Sequence, residues 1–303
     1  DVNGKTVNVG DTVDFTVSAA VPASAANYDV YPFTITDTAS KGLKVAETNT
    51  FKVQVDGKDV DAALYKVEQT GSAAVGTTTT INQLLKRLSD AKRTSILVSH
   101  LEDIYTKDAL TGLDGSVDNK ATITTNGGTS GEGKTESKTY GFQFKKIGVD
   151  SDANALAGAQ FVVKKKDGKF LKQDTESKAW SSVDDQTNAT VFTSGADGLV
   201  QFKGLAAGDY TIMETSAPSG YAQNFRVTFD VSIAENGTVT FKQDLLHQVT
   251  LPADDQIATV KNVKSITQLP LTGAAGTTLF TVVALLVAGA GVTVAVKSRQ
   301  RMH

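Results

Sequence analysis

The chain has 303 residues, no cysteine and a formal net charge of −3, from 33 acidic and 30 basic side chains. The missing thiol excludes disulfides, cysteine nucleophiles and Cys-ligated metal, and the near-balanced charge gives no electrostatic footprint for nucleic acid. This length predicts two domains of ordinary size ahead of an apolar C-terminal tail.

Residues 1–126 read as strands and turns. Val7, Val9, Val13, Phe15 and Val17 alternate with polar residues, and Phe33, Ile35 and Asp37 share one face by the period-2 rule. Asn3-Gly4, Lys41-Gly42 and Asp56-Gly57 are turn dipeptides. Ile81, Leu84, Leu85 and Leu88 have helical spacing, which predicts a short surface helix inserted in this β domain. Residues 127–138 (GGTSGEGKTESK) are polar and glycine-rich and predict an interdomain linker or a long exposed loop. They also satisfy the phosphate-loop spacing through Gly128, Gly133, Lys134 and Thr135. That loop needs a helix to follow it, whereas Phe142 and Phe144 alternate as a strand, so the match is read as accidental.

The second domain spans 139–264. Strand patterns at Phe142/Phe144, Phe161–Val163, Val200–Phe202, Tyr210/Ile212, Phe225–Val231, Val239–Phe241 and Ile257–Val263 are separated by Asp167-Gly168, Asp197-Gly198, Ala207-Gly208 and Asn236-Gly237. The expected fold class is therefore all-β: two tandem Ig-like β-sandwich domains, the first with a short helical insertion, followed by a C-terminal transmembrane segment. The segment 265–303 contains no charge from Leu269 to Val296, and then Lys297, Arg299 and Arg301. A helix over about 277–296 is long enough to cross a bilayer, with the basic end held in the cytoplasm.

Three polar residues occupy apolar faces of the second domain. Lys146 continues the face of Phe142 and Phe144, Glu214 that of Tyr210 and Ile212, and Asn262 that of Val260. An unpaired buried charge is expensive, so each of the three needs a partner. One reading is a buried Lys–Glu ion pair with an asparagine beside it. The other is chemical: desolvation favours a neutral Lys146 amine and a protonated Glu214. The amine could then attack the Asn262 side-chain carbonyl while Glu214 shuttles protons, releasing ammonia in a single turnover. The histidines are scattered, no cofactor or metal set is found, and no turnover enzyme is expected.

Leu269, Pro270, Leu271, Thr272 and Gly273, followed by the apolar stretch and basic tail, resemble the LPxTG sorting signal of Gram-positive surface proteins. The resemblance implies that a sortase thiol attacks the Thr272 carbonyl, releases Gly273 onward and passes Thr272 to an amine. The helix would then be a temporary membrane anchor. Tyr210, Ile212, Glu214, Thr215, Ala217, Pro218, Gly220 and Tyr221 resemble the E-box of Gram-positive pilins. The run from Lys146 through Leu156–Phe161 resembles the opening of a collagen-adhesin B-type domain. The family implies an intramolecular Lys146–Asn262 isopeptide promoted by Glu214, with Asp254 and Asp255 as distant alternative acceptors.

In the first domain, Phe33–Thr38, Gly42-Leu43 and Asn119–Ile123 resemble the isopeptide-forming middle domain of fimbrial subunits. That implies Asp37 as catalytic acid, Asn119 as acceptor and Lys5 as donor, unless the donor precedes Asp1. The alternative is that Asp37 caps a turn and Asn119 lies in one. Together these features imply a fimbrial shaft subunit at the cell surface, anchored in the wall. Its partners would be sortase, neighbouring pilin subunits and peptidoglycan, with a host surface glycan or protein as adhesion target and only transient contact with the membrane. The family's Y-P-K motif is not found, since Tyr31-Pro32 is followed by Phe33. An ancillary pilin or a monomeric wall-anchored adhesin stays open as the alternative.

Overall fold

A computed structural model describes residues 4–28, 31–82, 95–126, 128–149, 154–242, 244, 246–251 and 257–269. In the N-terminal part the strands are β1 (Thr12–Ala20), β2 (Phe33–Ala39), β3 (Leu43–Lys44), β4 (Lys52–Val55), β5 (Lys58–Asp59), β6 (Lys66–Ser72), β7 (Gly76–Asn82), β8 (Ser95–Tyr105) and β9 (Gly115–Thr125). The long β10 (Gly128–Gly148) leads into β11 (Gln160–Lys165), β12 (Phe170–Gln173), β13 (Trp180–Val183), β14 (Phe192–Thr193) and β15 (Leu199–Leu205). The last strands are β16 (Gly208–Ser216), β17 (Thr228–Ile233), β18 (Val239–Phe241), β19 (Val249–Thr250) and β20 (Ala258–Asn262). Among the described residues, helix occurs only as short 3-10 turns of three to five residues.

Three sheets build the molecule. One has the order β1-β8-β4-β5 with β3 on β8, and another β13-β12-β11-β16-β17-β18 with β14 on β11. The third runs β19-β20-β10-β9-β2-β7-β6 with β15 on β10. It serves both halves because β10 changes neighbours along its length. Residues 128–139 pair antiparallel with β9, whereas residues 140–148 lie between antiparallel β15 and parallel β20.

This strand overturns the expected linker, since residues 128–138 are ladder, not loop. A run of Gly, Ser, Thr and Lys carries little strand propensity, and pairing with β9 supplies what composition does not. Lys120 pairs with Glu132 and Lys134 with Asp118 across this ladder, which also explains the polar composition of a solvent-facing strand. The phosphate-loop spacing accordingly falls on extended backbone with no helix behind it. The expected helix is corrected at its start: Ile81 and Asn82 end β7, with Ile81 buried opposite Ile35. Leu84, Leu85 and Leu88 lie outside the described residues.

One core cluster runs from Val7 and Val9 through Leu43, Tyr105 and Phe142 to Phe161, Phe202, Phe229 and Val260. Aromatic rings dominate its centre: Phe142 stacks on Phe202 at 4.7 Å, and Phe144 meets Phe161 edge-on at 5.0 Å. The N-terminal segment closes the two halves together. Val9 donates its N–H to Gly204 O at 2.9 Å, and its carbonyl accepts from Trp180 N at 2.8 Å. Gly204 has φ +73° and faces the Val9 side chain where a Cβ would stand, so only glycine permits this approach.

Candidate functional site

Period 2 along β10 turns Phe142, Phe144 and Lys146 inward, while Gln143 and Lys145 stay half-exposed. All three expected polar residues reach the core: Lys146 is 0% exposed, Glu214 5% and Asn262 0%. They converge although they lie on β10, β16 and β20. Parallel pairing sets Lys146 beside Val260 and Gly148 beside Asn262. Glu214 enters from the facing sheet, where β16 pairs with β11.

The Glu214 carboxylate touches both others. Its Oε1 lies 3.5 Å from Lys146 Nζ, and its Oε2 accepts from Asn262 Nδ2 at 3.1 Å. The Val227 N–H also donates to Oε2 at 2.9 Å. Lys146 Nζ and Asn262 Oδ1 are left without hydrogen-bond partners. Burial pushes the Lys146 amine down to about 8, against the opposing pull of the Glu214 and Asp244 carboxylates. The Phe161 ring lies 5.7 Å from Nζ, so the amine is enclosed by an aromatic wall and a carboxylate.

The segment resembling an E-box continues past Glu214 into a turn. Ala217 donates its N–H to Gln223 Oε1 at 3.0 Å, and Tyr221 N bonds Pro218 O at 3.1 Å. The Tyr221 hydroxyl fills the space a Cβ would need at Gly148, the residue opposite Asn262. Two supports were not anticipated from sequence. Buried Gln248 donates to Lys261 O at 3.0 Å and to Phe225 O at 3.4 Å, tying the neighbour of Asn262 to the segment that carries Val227. Asp244 accepts from Val249 N at 2.8 Å and Leu246 N at 3.1 Å, and so shapes the turn into β19. Both lie outside any period-2 pattern, so sequence offered no signal for them.

The first half holds a smaller constellation. Asp37 and Asn119 are 2% and 6% exposed, and Asn119 Nδ2 donates to Asp37 Oδ1 at 2.8 Å. Both sit in mid-strand, Asp37 opposite Ala121 and Asn119 opposite Ala39. The turn reading of these two residues is thereby corrected. Asn119 Oδ1 has no hydrogen-bond partner, and the residue lines a groove of about 600 Å³ between β1 and residues 131–135 of β10. Lys5 does not join this pair. It is exposed, with its carbonyl accepting from Lys138 N, whereas Asn119 stands opposite Thr135 farther along β10.

Of the sorting signal, Leu269 is described and is buried at 3% exposure. Pro270, Thr272, Gly273 and the predicted membrane helix lie outside the described residues. Among the described residues no helix is long and apolar enough to cross a membrane.

Residues 141–245 match the SpaA prealbumin-like fold domain, and residues 261–301 match the LPXTG cell wall anchor motif. The chain carries a SpaA domain and a cell wall anchor. It is therefore a cell-wall-anchored surface protein. The SpaA domain begins in β10 and contains Lys146 and Glu214, while Asn262 falls within the anchor match. The fold is similar to the group B streptococcus pilus 2b backbone protein, at 25% identity and TM-score 0.61, covering 87% of this chain and 96% of that one. It is also similar to the RrgB pilus backbone of Streptococcus pneumoniae, at 15% identity and TM-score 0.59, covering 78% and 89%. A C-terminal fragment of the Streptococcus agalactiae major pilin GBS80 aligns at 18% identity and TM-score 0.57, covering 85% and 95%. No curated protein matches the chain.

Proposed function

We propose that the chain is a structural subunit of a sortase-anchored pilus shaft, polymerised through Thr272 and cross-linked internally between Lys146 and Asn262. The observation that carries the cross-link is one buried carboxylate reaching both reacting groups. The neutral Lys146 amine must lose a proton as it attacks, and the departing Asn262 nitrogen must gain one. Glu214 Oε1 faces the first at 3.5 Å, and Oε2 holds the second at 3.1 Å. The Nζ–Cγ bond forms, the Cγ–Nδ2 bond breaks and ammonia leaves, so the carboxylate returns the proton it took. Enclosure raises the neutral share of the amine and fixes the approach of the two reactants.

The mechanical consequence follows from the strand order. Force entering through β10 would pass from Lys146 to Asn262 and on toward Thr272, bypassing the residues between. Closing a loop of this size stabilises the fold by about 5 kcal/mol, by analogy with a disulfide. In the first half, Asp37 and Asn119 would form a second cross-link with a lysine delivered to their groove, and Lys5 at its present position does not serve.

Intact mass of the chain tests the central claim. A deficit of one ammonia that disappears in Glu214→Ala supports the Lys146–Asn262 bond, and the full calculated mass in the wild type would falsify it. Incubation with a pilus-type sortase tests the assembly role. A ladder of covalent multimers supports a shaft subunit, whereas a single wall-linked species indicates an ancillary pilin or a monomeric adhesin.

A further inference from the structure

Leu269 opens the pentapeptide that sortase must read, yet it is one of the most deeply covered residues near the chain's end. After Asn262, a single 3-10 turn (Ile266–Gln268) folds the backbone back on itself. Gln268 N bonds Ser265 O and Leu269 N bonds Ile266 O, each at 3.2 Å. The Gln268 side chain closes the turn by accepting from Lys264 N at 2.7 Å. This turn leaves Ile266 39% exposed and drives Leu269 against Phe225 and Val263, to 3% exposure. Val149, Ala222 and Leu246 pack around that small cluster, which is separate from the main core.

The pocket is made by the same segments that carry the cross-linking site. Val263 follows Asn262 directly, and Phe225 lies two residues before Val227, whose N–H holds Glu214. Gln248 joins both sides through the Phe225 and Lys261 carbonyls. Folding of the site therefore also builds the socket for Leu269.

We infer that this socket competes with sortase for Leu269 and gates the transpeptidation. The inference rests on the sortase reading of the pentapeptide. A side chain that is 3% exposed cannot be enclosed by a second protein at the same time. Cleavage between Thr272 and Gly273, three residues onward, requires the turn 264–269 to peel away first. The enzyme then meets only the peeled fraction of the chain, and its apparent affinity falls by that fraction. Leu269 stays on the acyl side of the cut, so it can return to its socket once Thr272 has been transferred.

The test compares the full chain in detergent micelles with a free peptide covering residues 264–276, using a sortase first shown to cut that peptide. The peptide should be cleaved with a KM at least about ten-fold lower than the chain and a similar kcat, since the gate acts on the competent fraction. Gln268→Ala removes the exposed side-chain bond of the turn and should lower the chain's KM part of the way to the peptide value. Phe225→Ala should lower it further, and the exposed Ile266→Ser should leave it unchanged. Intact mass read on the same samples keeps loss of the cross-link apart from loss of the gate. A common KM for chain and peptide, or a KM unmoved by both Gln268→Ala and Phe225→Ala, overturns the inference.

Discussion

The two halves of the molecule place a carboxylate and an asparagine in similar positions but equip them differently. In the second half, Glu214 has Lys146 on one oxygen and Asn262 on the other. In the first, Asp37 holds Asn119 at 2.8 Å, and the expected amine, Lys5, stays exposed outside the pair. The difference lies in what β10 offers. Its second half is flanked on both sides by β15 and β20, so an inward lysine is sealed into the core. Its first half pairs with β9 on one side and meets residues 4–7 at Glu136 and Lys138 on the other, and its residues 131–135 line an open groove together with Asn119. On the proposed chemistry, a buried carboxylate and amide still need an amine brought under cover by a third strand.

The largest effect should come from removing that amine. Lys146→Met keeps the volume and apolar stem, abolishes the ammonia deficit and lowers unfolding stability by about 5 kcal/mol, which denaturant titration would read. A wild-type-like midpoint for Lys146→Met would show that the two halves do not differ in this way. Next in size is the first half's own pair. Asp37→Ala strands the Asn119 amide in the core and should cost about 1–3 kcal/mol, with the mass deficit of the second half untouched. If Asp37→Ala also restored the missing ammonia, the two sites would be coupled and the contrast between them lost.

A pH experiment sharpens the same contrast. In Asn262→Ala the acceptor is gone and Lys146 keeps its amine, whose folded value of about 8 lies below the ordinary 10.5. Between those values the unfolded chain binds a proton that the folded chain has released, so stability rises with pH. Below about pH 8 both states are protonated and this contribution is flat. Adding Lys146→Met should remove the rise, whereas Asp37→Ala should not. The smallest effect belongs to the surface of β10. Lys134→Ala breaks an exposed pair with Asp118 and should change stability by about 0–1 kcal/mol, with no nucleotide binding by calorimetry before or after.

Much of the second site was legible because period 2 is a strict rule on a strand with one buried face. Phe142, Phe144 and Val260 mark the inward rows, and Lys146 and Asn262 interrupt them in phase. Asp37 was legible in the same way after Phe33 and Ile35. The helix expected from Ile81 failed at its first residue, because apolar spacing compatible with a helix can begin on the last buried position of a strand. The linker expected over 127–138 failed because composition reports solvent contact more directly than it reports backbone state. Most of residues 128–138 face water, Ser137 being buried, yet their backbone pairs with β9.

From the sequence alone came the all-β class, the inward polar residues, the E-box and the sorting signal with its apolar tail. All of these are local, since they depend on the order of side chains along one strand or one segment. Tertiary structure decided what depends on distant segments meeting: that β10 is one strand shared by both halves, that Val227 holds Glu214 while Gln248 ties Phe225 to Lys261 beside Asn262, and that Lys5 stands apart from Asn119. It also decided that Leu269, apolar in an apolar tail and indistinguishable there from its neighbours, sits in a socket formed by Phe225 and Val263. Burial is a property of the assembled surface around a residue, and no local pattern encodes it.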